Sequence, residues 1–407
     1  MPEGYTPQSG VKYRQERDVS VPPVRIDVVK GIENVRNVAL SRLVEEIVYI
    51  NLGKLRFGAD DVQITPHGIL VANFDGAWLY SPDGKLIREI YKNICEYEPF
   101  GIFGVMMTEG NKFTGISNVR YNEKDDRLLV KFRDYQMRSD NYRGFLGYID
   151  MSGQFNVSAD EIKQDPIIPI AEFGDVRMAY AENFVVHHAY RQDDFRMTSA
   201  SFSGDTLCRF SFDYDSIRAK IFKKSVKIDT PTSYYHNEIF TFRPPFNDTL
   251  FRITAANVVK PVYVFDMGIQ ENLNYDQLYV LQGISEDSRY LYVKFTIRNY
   301  NGTNVRRQWK GLYDKSAREF FTLPVDNEMK PLEVGIENDI DGGMPFWLHR
   351  IGSRGEKKMF FSGKMMKNVL TEEWFAKSKA SKPEKKAELM KFMQTVEDDD
   401  VVIIIAQ

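Results

Sequence analysis

The stretch GILVANFDGAWLYSPDGKLIREIY, residues 68–91, decides the fold. Short apolar and aromatic runs break at Asp75-Gly76 and again at Ser81-Pro82-Asp83-Gly84. Runs of this length, bounded by Gly, Asp and Ser, read as three consecutive strands joined by tight turns. Glycine at such turns supplies positive φ without a steric penalty.

The same theme recurs on both sides. RLLVKFRDY (127–135) leads to RGFLGYIDMSGQFNV (143–157), and ENFVVHHAYRQDDFRMTSASFSGDTLCRFSF (182–212) repeats it. A later copy is RYLYVKFTIRNYNGTNVRRQWKGLYDKSAREFFTL (289–323). The turns at Gly84, Gly153, Gly204 and Ser316 align, at irregular intervals. Several four-stranded units in series predict a β-propeller, which limits exposed edges by radial repetition. EIFTFRPPFNDTLFRI (238–253) reads as occupying the same strand–turn–strand slot, with Asn247-Asp248 as its turn. Pro244 and Pro245 cannot donate to a ladder, so they belong on an outer strand or at its bulged end. Arg243 beside them is expected to be at least partly buried. It then serves as a clamp on a carboxylate or backbone carbonyls, or as a ligand contact.

Helical signals are confined to the end. Ser381-Lys382-Pro383-Glu384 has the form of a capping box, and Leu389, Phe392, Met393 and Val396 follow on one helix face. The closing VVIIIAQ (401–407) reads as a buried strand that completes the last sheet. The expected architecture is therefore all-β: a six-bladed β-propeller with a C-terminal helix at about 383–396 and a closing C-terminal strand. Residues 1–37 form a leader and first strand, and 38–407 a single propeller. The start is polar and carries Pro2, Gly4, Pro7 and Gly10, as a flexible leader would.

Composition narrows the function. Of 407 residues, 43% are hydrophobic and 13% aromatic, ample for a large core. Lys and Arg number 54 against 57 acids, a net charge of −3, which speaks against nucleic acid as a partner. The lysine-rich run KSKASKPEKKAELMK (377–391) reads as a solvated helix face. Two cysteines, Cys95 and Cys208, permit at most one disulfide and no CxxC motif. No apolar run approaches the ~18 residues of a membrane-spanning helix.

At this point the chain resembles the six-bladed β-propeller proteins of gut bacteria, largely exported lipoproteins grouped in families of unassigned function. The resemblance is carried by VALSRLVEEIVYINL (38–52), FRPPFNDTLFRI (242–253) with KPVYVFDMG (260–268), ENDIDGGMPFW (337–347) and EDDDVVIIIAQ (397–407). It implies a propeller scaffold in the cell envelope, in the periplasm or as an outer-membrane lipoprotein, and no established catalytic residues. The chain departs from that group in lacking a lipid-bearing cysteine at its start.

Catalytic and metal motifs are absent. The ENDIDGGMPFW segment holds Asn338, Asp339, Asp341 and Gly343, but lacks the D-x-D-x-D-G spacing and distal glutamate of a calcium loop. An Asx-stabilised turn is the first reading and a ligand contact the second. His187 and His188 are neighbours in a strand and face opposite sides, so they do not share a metal; His67, His236 and His349 are scattered. There is no GxSxG elbow, GxGxxG or P-loop. Acidic pairs such as Asp60-Asp61 and Asp193-Asp194 sit in turns; a glycosidase pair would have to come from different blades. Asn247-Asp248-Thr249 and Asn301-Gly302-Thr303 match N-x-[ST] at the frequency of chance.

The reading is a non-enzymatic, envelope-associated monomer that binds a small molecule, glycan or protein partner without cofactor or metal. Arg243, Asp339, Asp341 and Trp347 are the candidate ligand contacts: a cation, two anions and an aromatic platform. The alternative is a hydrolase or lyase with a metal or carboxylate site in the central channel.

Overall fold

A computed structural model describes residues 11–55, 61–96, 112–123, 126–136, 142–151, 163–164, 177–180, 184–191, 194–201, 205–212, 232–237, 239–245, 247–267, 278–298, 305–325, 334–351 and 355–407. The expected turns at Gly153 and Gly204 lie outside them. The described residues form six sheets, taken in chain order from residue 61, in an all-β propeller-like fold with few helices.

The first sheet shows how sequence becomes blade. Asp61–Thr65, Gly68–Asn73, Gly76–Tyr80 and Leu86–Lys92 pair as a four-stranded antiparallel meander, as residues 68–91 lead one to expect. Gly84 turns the third strand into the fourth at φ 84°, where any Cβ would meet the Asn51 carbonyl oxygen at 2.3 Å. The second sheet centres on Lys112–Asn122, Arg127–Gln136 and Tyr142–Asp150, the third on Val185–Arg191 and Asp194–Ala200. The fourth comprises Thr232–His236, Ile239–Arg243, Thr249–Ala255 and Val258–Asp266. The fifth comprises Leu278–Glu286, Tyr290–Arg298, Val305–Asp314 and Glu319–Thr322.

The sixth sheet joins both ends of the chain. Its order is Arg350–Ile351, Lys357–Ser362, Asp400–Ala406, Ile47–Lys54, so the VVIIIAQ segment is an interior strand. Alternation sends Val402, Ile404 and Ala406 into a cluster shared with the fifth sheet. Val401, Ile403 and Ile405 enter one shared with the first. Other clusters join the first and second sheets, the third and fourth, and the fourth and fifth. Most of the apolar surface is therefore spent between neighbouring sheets, which is how radially arranged blades bury both faces.

Residues 11–37 run along the outer edges of three sheets. Tyr13 N donates to Leu207 O (2.8 Å) on the third sheet. Glu16–Arg17 and Val24–Asp27 pair in parallel with Val258–Asp266 of the fourth, and Arg36 N donates to Thr322 O (2.9 Å) of the fifth. This strap occupies backbone groups that open edges would expose.

The C-terminal helix spans Pro383–Thr395, with Leu389 and Met393 buried, and Val396 just beyond it. The capping box does not form: Lys382 is the N-cap, without a side-chain bond, and Ser381 N donates to Asp339 O at 2.6 Å. Proline at the first turn carries the helix start instead. Among the described residues three short helices accompany it, Val28–Glu33, Gly363–Val369 and Glu372–Lys377, none of them expected from the sequence. The first is capped by Asp27, whose Oδ1 accepts from Lys30 N.

Candidate functional site

The RPPFNDT segment does not occupy the slot its resemblance to other turns suggests. It joins the second and third strands of the fourth sheet, whereas the Gly84 and Ser316 turns join third and fourth strands. Pro244 and Pro245 therefore sit in a connection, not on an outer strand, which meets the same missing-donor constraint. Asn247 makes an Asx turn, its Oδ1 accepting from Thr249 N (2.7 Å), instead of adopting positive φ.

Arg243 is 1% exposed. Its Nη1 donates to Pro244 O (3.2 Å) and Asn247 O (3.1 Å), and its Nη2 to Leu281 O (3.3 Å) on the first strand of the fifth sheet. Carbonyls receive the guanidinium, which ties the loop to the neighbouring sheet. Leu281 lies where that strand bulges, between Leu281 and Gly283. Arg243 thus pins a bulge, and bulges re-aim side chains. Arg243→Ala is expected to cost about 2–4 kcal/mol, from orphaned buried acceptors at ~1–3 kcal/mol each and the space left behind. Chemical denaturation would measure it; an unchanged midpoint and slope would disprove the clamp.

The two aspartates serve the chain locally. Asp339 accepts from Ser41 N (2.9 Å) and Ser41 Oγ, fixing the turn Leu40–Arg42. Asp341, 1% exposed, accepts from Gly343 N (2.8 Å) beside Asn338 and the Tyr49 hydroxyl. Burial raises the Asp341 pKa above the usual carboxylate range, against its hydrogen bonds. Burial, and then the Asp341 charge, push Tyr49 well above an ordinary phenol. Trp347 is 8% exposed and meets Tyr292 edge-on at 6.0 Å. The structure brings Asp339, Asp341 and Trp347 along one segment and leaves Arg243 on another sheet.

Two constellations were missed by sequence reasoning. The first surrounds Glu286, whose side chain is wholly buried at the end of the fifth sheet's first strand. Oε1 meets Arg252 Nη2 (2.8 Å), Lys315 Nζ (2.7 Å) and the Tyr263 hydroxyl (3.2 Å), and Oε2 the Tyr234 hydroxyl (3.0 Å). His236 Nε2 stands 3.6 Å away. Desolvation opposes the Glu286 charge, but Arg252, Lys315 and His236 outweigh it and hold the pKa below normal. Next along, Asp287 accepts from Tyr290 N (2.6 Å) and Tyr292 Oη (2.8 Å) and faces Lys357 Nζ at 3.3 Å. This knot ties the fourth, fifth and sixth sheets together along one rim.

His67 and His349 make local structural contacts. His67 Nε2 meets Asp126 Oδ1 at 2.5 Å, and His349 Nδ1 accepts from Phe360 N. His187 and His188 lie in one strand, as expected; their side chains are outside the described residues. Cys208 is a buried free thiol.

The second constellation lies on the face of the fifth sheet turned toward the sixth. Lys294 is directly opposite Lys310, and Thr296 opposite Gln308, so all four share that face. Gln308 Nε2 donates to Gln282 Oε1 (2.9 Å) at the bulge pinned by Arg243. Lys310, 7% exposed, donates from Nζ to Val334 O (2.5 Å) and lies 5.6 Å over the Trp347 ring. Burial, and secondly the like charge of Lys294, bring its pKa down to about 7. Burial also lowers that of Lys294. Thr296 is fully buried and its hydroxyl has no hydrogen-bond partner among the described residues. A Cβ at Gly283, opposite Lys294, would meet among the described residues only the Lys294 Cβ, at 3.9 Å. Gly283 therefore has room for a side chain on the polar part of this face. The sequence signal was Tyr290-Tyr292-Lys294-Thr296 at a spacing of two, an apolar face turning polar midway.

Among the described residues no group of His, Cys, Asp or Glu is placed to hold a metal ion, and no helix is long and apolar enough to cross a membrane.

No curated protein is detectably similar to the chain. Among solved structures, a predicted exported protein from Bacteroides fragilis NCTC 9343 is 10% identical, covering 94% of this chain and 98% of that one, at a TM-score of 0.49. A member of the DUF4221 family from Bacteroides vulgatus ATCC 8482 is 10% identical over 89% and 97% of the two chains, at 0.38. The GH43B protein of a Bacteroides ovatus xyloglucan locus is 8% identical over 78% and 69%, at 0.32. Likeness at this level carries no argument about activity. The model of a family described as a domain of unknown function, DUF4933, matches residues 8–372, and the chain belongs to that family.

Proposed function

We propose that the six sheets are the six blades of one closed propeller, and that the protein is a monomeric, non-enzymatic receptor of the bacterial cell envelope for a small molecule or glycan. The observation that carries the binding reading is the niche at Gly283: room on the first strand of a sheet, on the same face as a buried hydroxyl without a partner among the described residues. Scaffolds satisfy most of their buried polar groups, and an unsatisfied one on the same face as that room supports a site awaiting a ligand or water. The envelope location rests on the resemblance of residues 38–52, 242–268 and 337–347 to exported propellers.

A thermal-shift screen of sugars, sugar acids and small metabolites against the protein and Gly283→Leu tests this. A ligand at 100 times its Kd should stabilise the parent by about 2.7 kcal/mol. The leucine fills the niche and should abolish that shift while leaving the unliganded melting temperature within a few degrees. A ligand that stabilises both proteins equally binds elsewhere and removes the niche from the proposal. Turnover of any screened compound would instead favour a hydrolase or lyase.

A further inference from the structure

We propose that the groove between the N-terminal strap and the outer strand of the third sheet binds an acidic polysaccharide through Lys12, Arg14, Arg17 and Arg209. Such a ligand is a sugar polymer carrying carboxylate or sulfate groups. The groove is built from the strap and the third sheet, not from the fifth sheet that carries Gly283, so it goes beyond the receptor reading and is tested apart from it.

Backbone and amide contacts fix the walls of the groove. Lys12 N donates to Thr206 O (3.3 Å) and Tyr13 N to Leu207 O (2.8 Å), on the strand Thr206–Phe210. Gln15, half-buried, holds Ser211 with both ends of its amide: Nε2 donates to Ser211 O (3.2 Å) and Oε1 accepts from Ser211 N (2.7 Å). Asn257 Nδ2 donates to Arg14 O (3.1 Å) and Glu16 N to Asn257 O (2.8 Å), which carries the strap over to the fourth sheet. With Gln15 spent on the third sheet, Lys12, Arg14 and Arg17 stay exposed. Arg209 is exposed between Cys208 and Phe210, both buried, as alternation along a strand requires. These four cations and Tyr13 line a groove of about 670 Å³, a size common for ligand sites.

Charge sets this groove apart from the rest of the strap. Elsewhere Arg25 meets Asp266 (2.8 Å), Arg36 meets Glu319 (2.5 Å) and Asp18 meets Lys260 (3.3 Å). None of the four groove cations makes an ion pair among the described residues, and no acid is among the lining residues. Lys12 stands 5.4 Å over the Tyr13 ring and Arg17 5.6 Å over that of Phe251, contacts that hold the side chains without neutralising them. A chain of net charge −3 thus gathers four cations at one place, and their field attracts and orients an anion.

The side chains also select the kind of anion. Three of the four are arginines, whose planar guanidinium grips a carboxylate or sulfate with two parallel bonds. Lys12, Arg14 and Arg17 follow one another along the strap, so several anionic groups in a row fit them better than one small acid. Tyr13, 43% exposed in the same lining, offers a ring on which the C–H face of a sugar packs. A flat anionic membrane suits a projecting apolar face rather than a groove.

Isothermal titration of the full chain with polygalacturonate, chondroitin sulfate and neutral dextran tests this. At least one acidic polymer should bind and dextran should not. Affinity should fall about tenfold or more between ~50 and ~200 mM salt, because exposed charges are screened and counterions are released. The double variant Arg14→Glu/Arg209→Glu should weaken binding by about tenfold or more. Its melting temperature should stay that of the parent, since both residues are exposed and unpaired. The charge-matched pair Lys364→Glu/Lys391→Glu, on exposed helix faces, should bind as the parent does. Equal weakening by both pairs would trace the binding to overall charge and overturn the groove. Binding of neither acidic polymer, or of dextran as tightly as both, would overturn the proposal. Vesicles containing phosphatidylglycerol and a DNA duplex complete the set. Tighter binding of either, lost in Arg14→Glu/Arg209→Glu, would overturn the polysaccharide as the ligand class.

Discussion

Protein lacking residues 400–407 will not fold to a cooperative native state. These residues place Val401, Val402, Ile403, Ile404 and Ile405 in the interior, none more than 7% exposed. Each buried side chain of this kind contributes about 1.5–3 kcal/mol. Together they rival the whole ~5–15 kcal/mol stability of a typical domain. The strand also carries the hydrogen bonds that hold Ile47–Lys54 to the sixth sheet, so its loss frees the first sheet strand as well as the last. Differential scanning calorimetry of the truncated protein should show no sharp transition. Two milder variants locate the effect. Ile404→Ala empties the side facing the fifth sheet and helices, and Ile403→Ala the side facing the first. Each should cost about 2–5 kcal/mol. A truncated protein that melts as the parent does would show that the last sheet closes without this strand.

Glu286→Ala is the second large effect. The carboxylate is the common partner of Arg252 and Lys315, and its removal strands both cations in a largely enclosed rim. Breaking a buried ion pair costs about 3–5 kcal/mol. With an unfolding entropy of ~2.1 cal/mol/K per residue, that lowers the melting temperature of a chain this long by roughly 4–6 °C. The pH dependence has a definite sign. The folded state holds the Glu286 and Asp287 pKa values below those of the unfolded chain. Their stabilisation is fully present above the unfolded carboxylate pKa, about 4, and is lost as pH falls through the folded values. Burial lowers the His236 pKa, so unfolding takes up a proton there as pH falls below about 6.5, which acts in the same direction. The parent should lose stability on acidification from pH 7, and Glu286→Ala should show a shallower loss below pH 5. Parallel profiles for the two proteins would mean that the knot contributes nothing to acid sensitivity.

The sequence by itself determined the elements whose information is local. Residues 68–91 carry their own turns, so three strands of the first sheet were readable from spacing and glycine alone. The helix Pro383–Thr395 was legible because Leu389, Met393 and Val396 repeat at helical spacing. The C-terminal strand was legible because a β-branched run of that length has no stable solvent-exposed form. The burial of Arg243 was expected from the cost of a charge set beside two prolines; that carbonyls are among its acceptors was one of two alternatives the sequence left open.

What tertiary structure decided is everything that depends on which face a neighbour covers. Alternation in a strand puts Lys294 and Thr296 on one face but cannot show that the sixth sheet lies over it; uncovered, the same residues would be a solvated surface. The RPPFNDT loop was assigned to the wrong connection because strand–turn–strand chemistry is the same at every turn of a meander. The partners of residues 11–37 lie some 200 to 290 positions away, and their polar sequence gave no sign of edges waiting for them. Glu286 finds its cations at Arg252, on a strand of the fourth sheet, and at Lys315, in a turn of the fifth. Charges that far apart along the chain become one network only when packing excludes the water that would otherwise screen them.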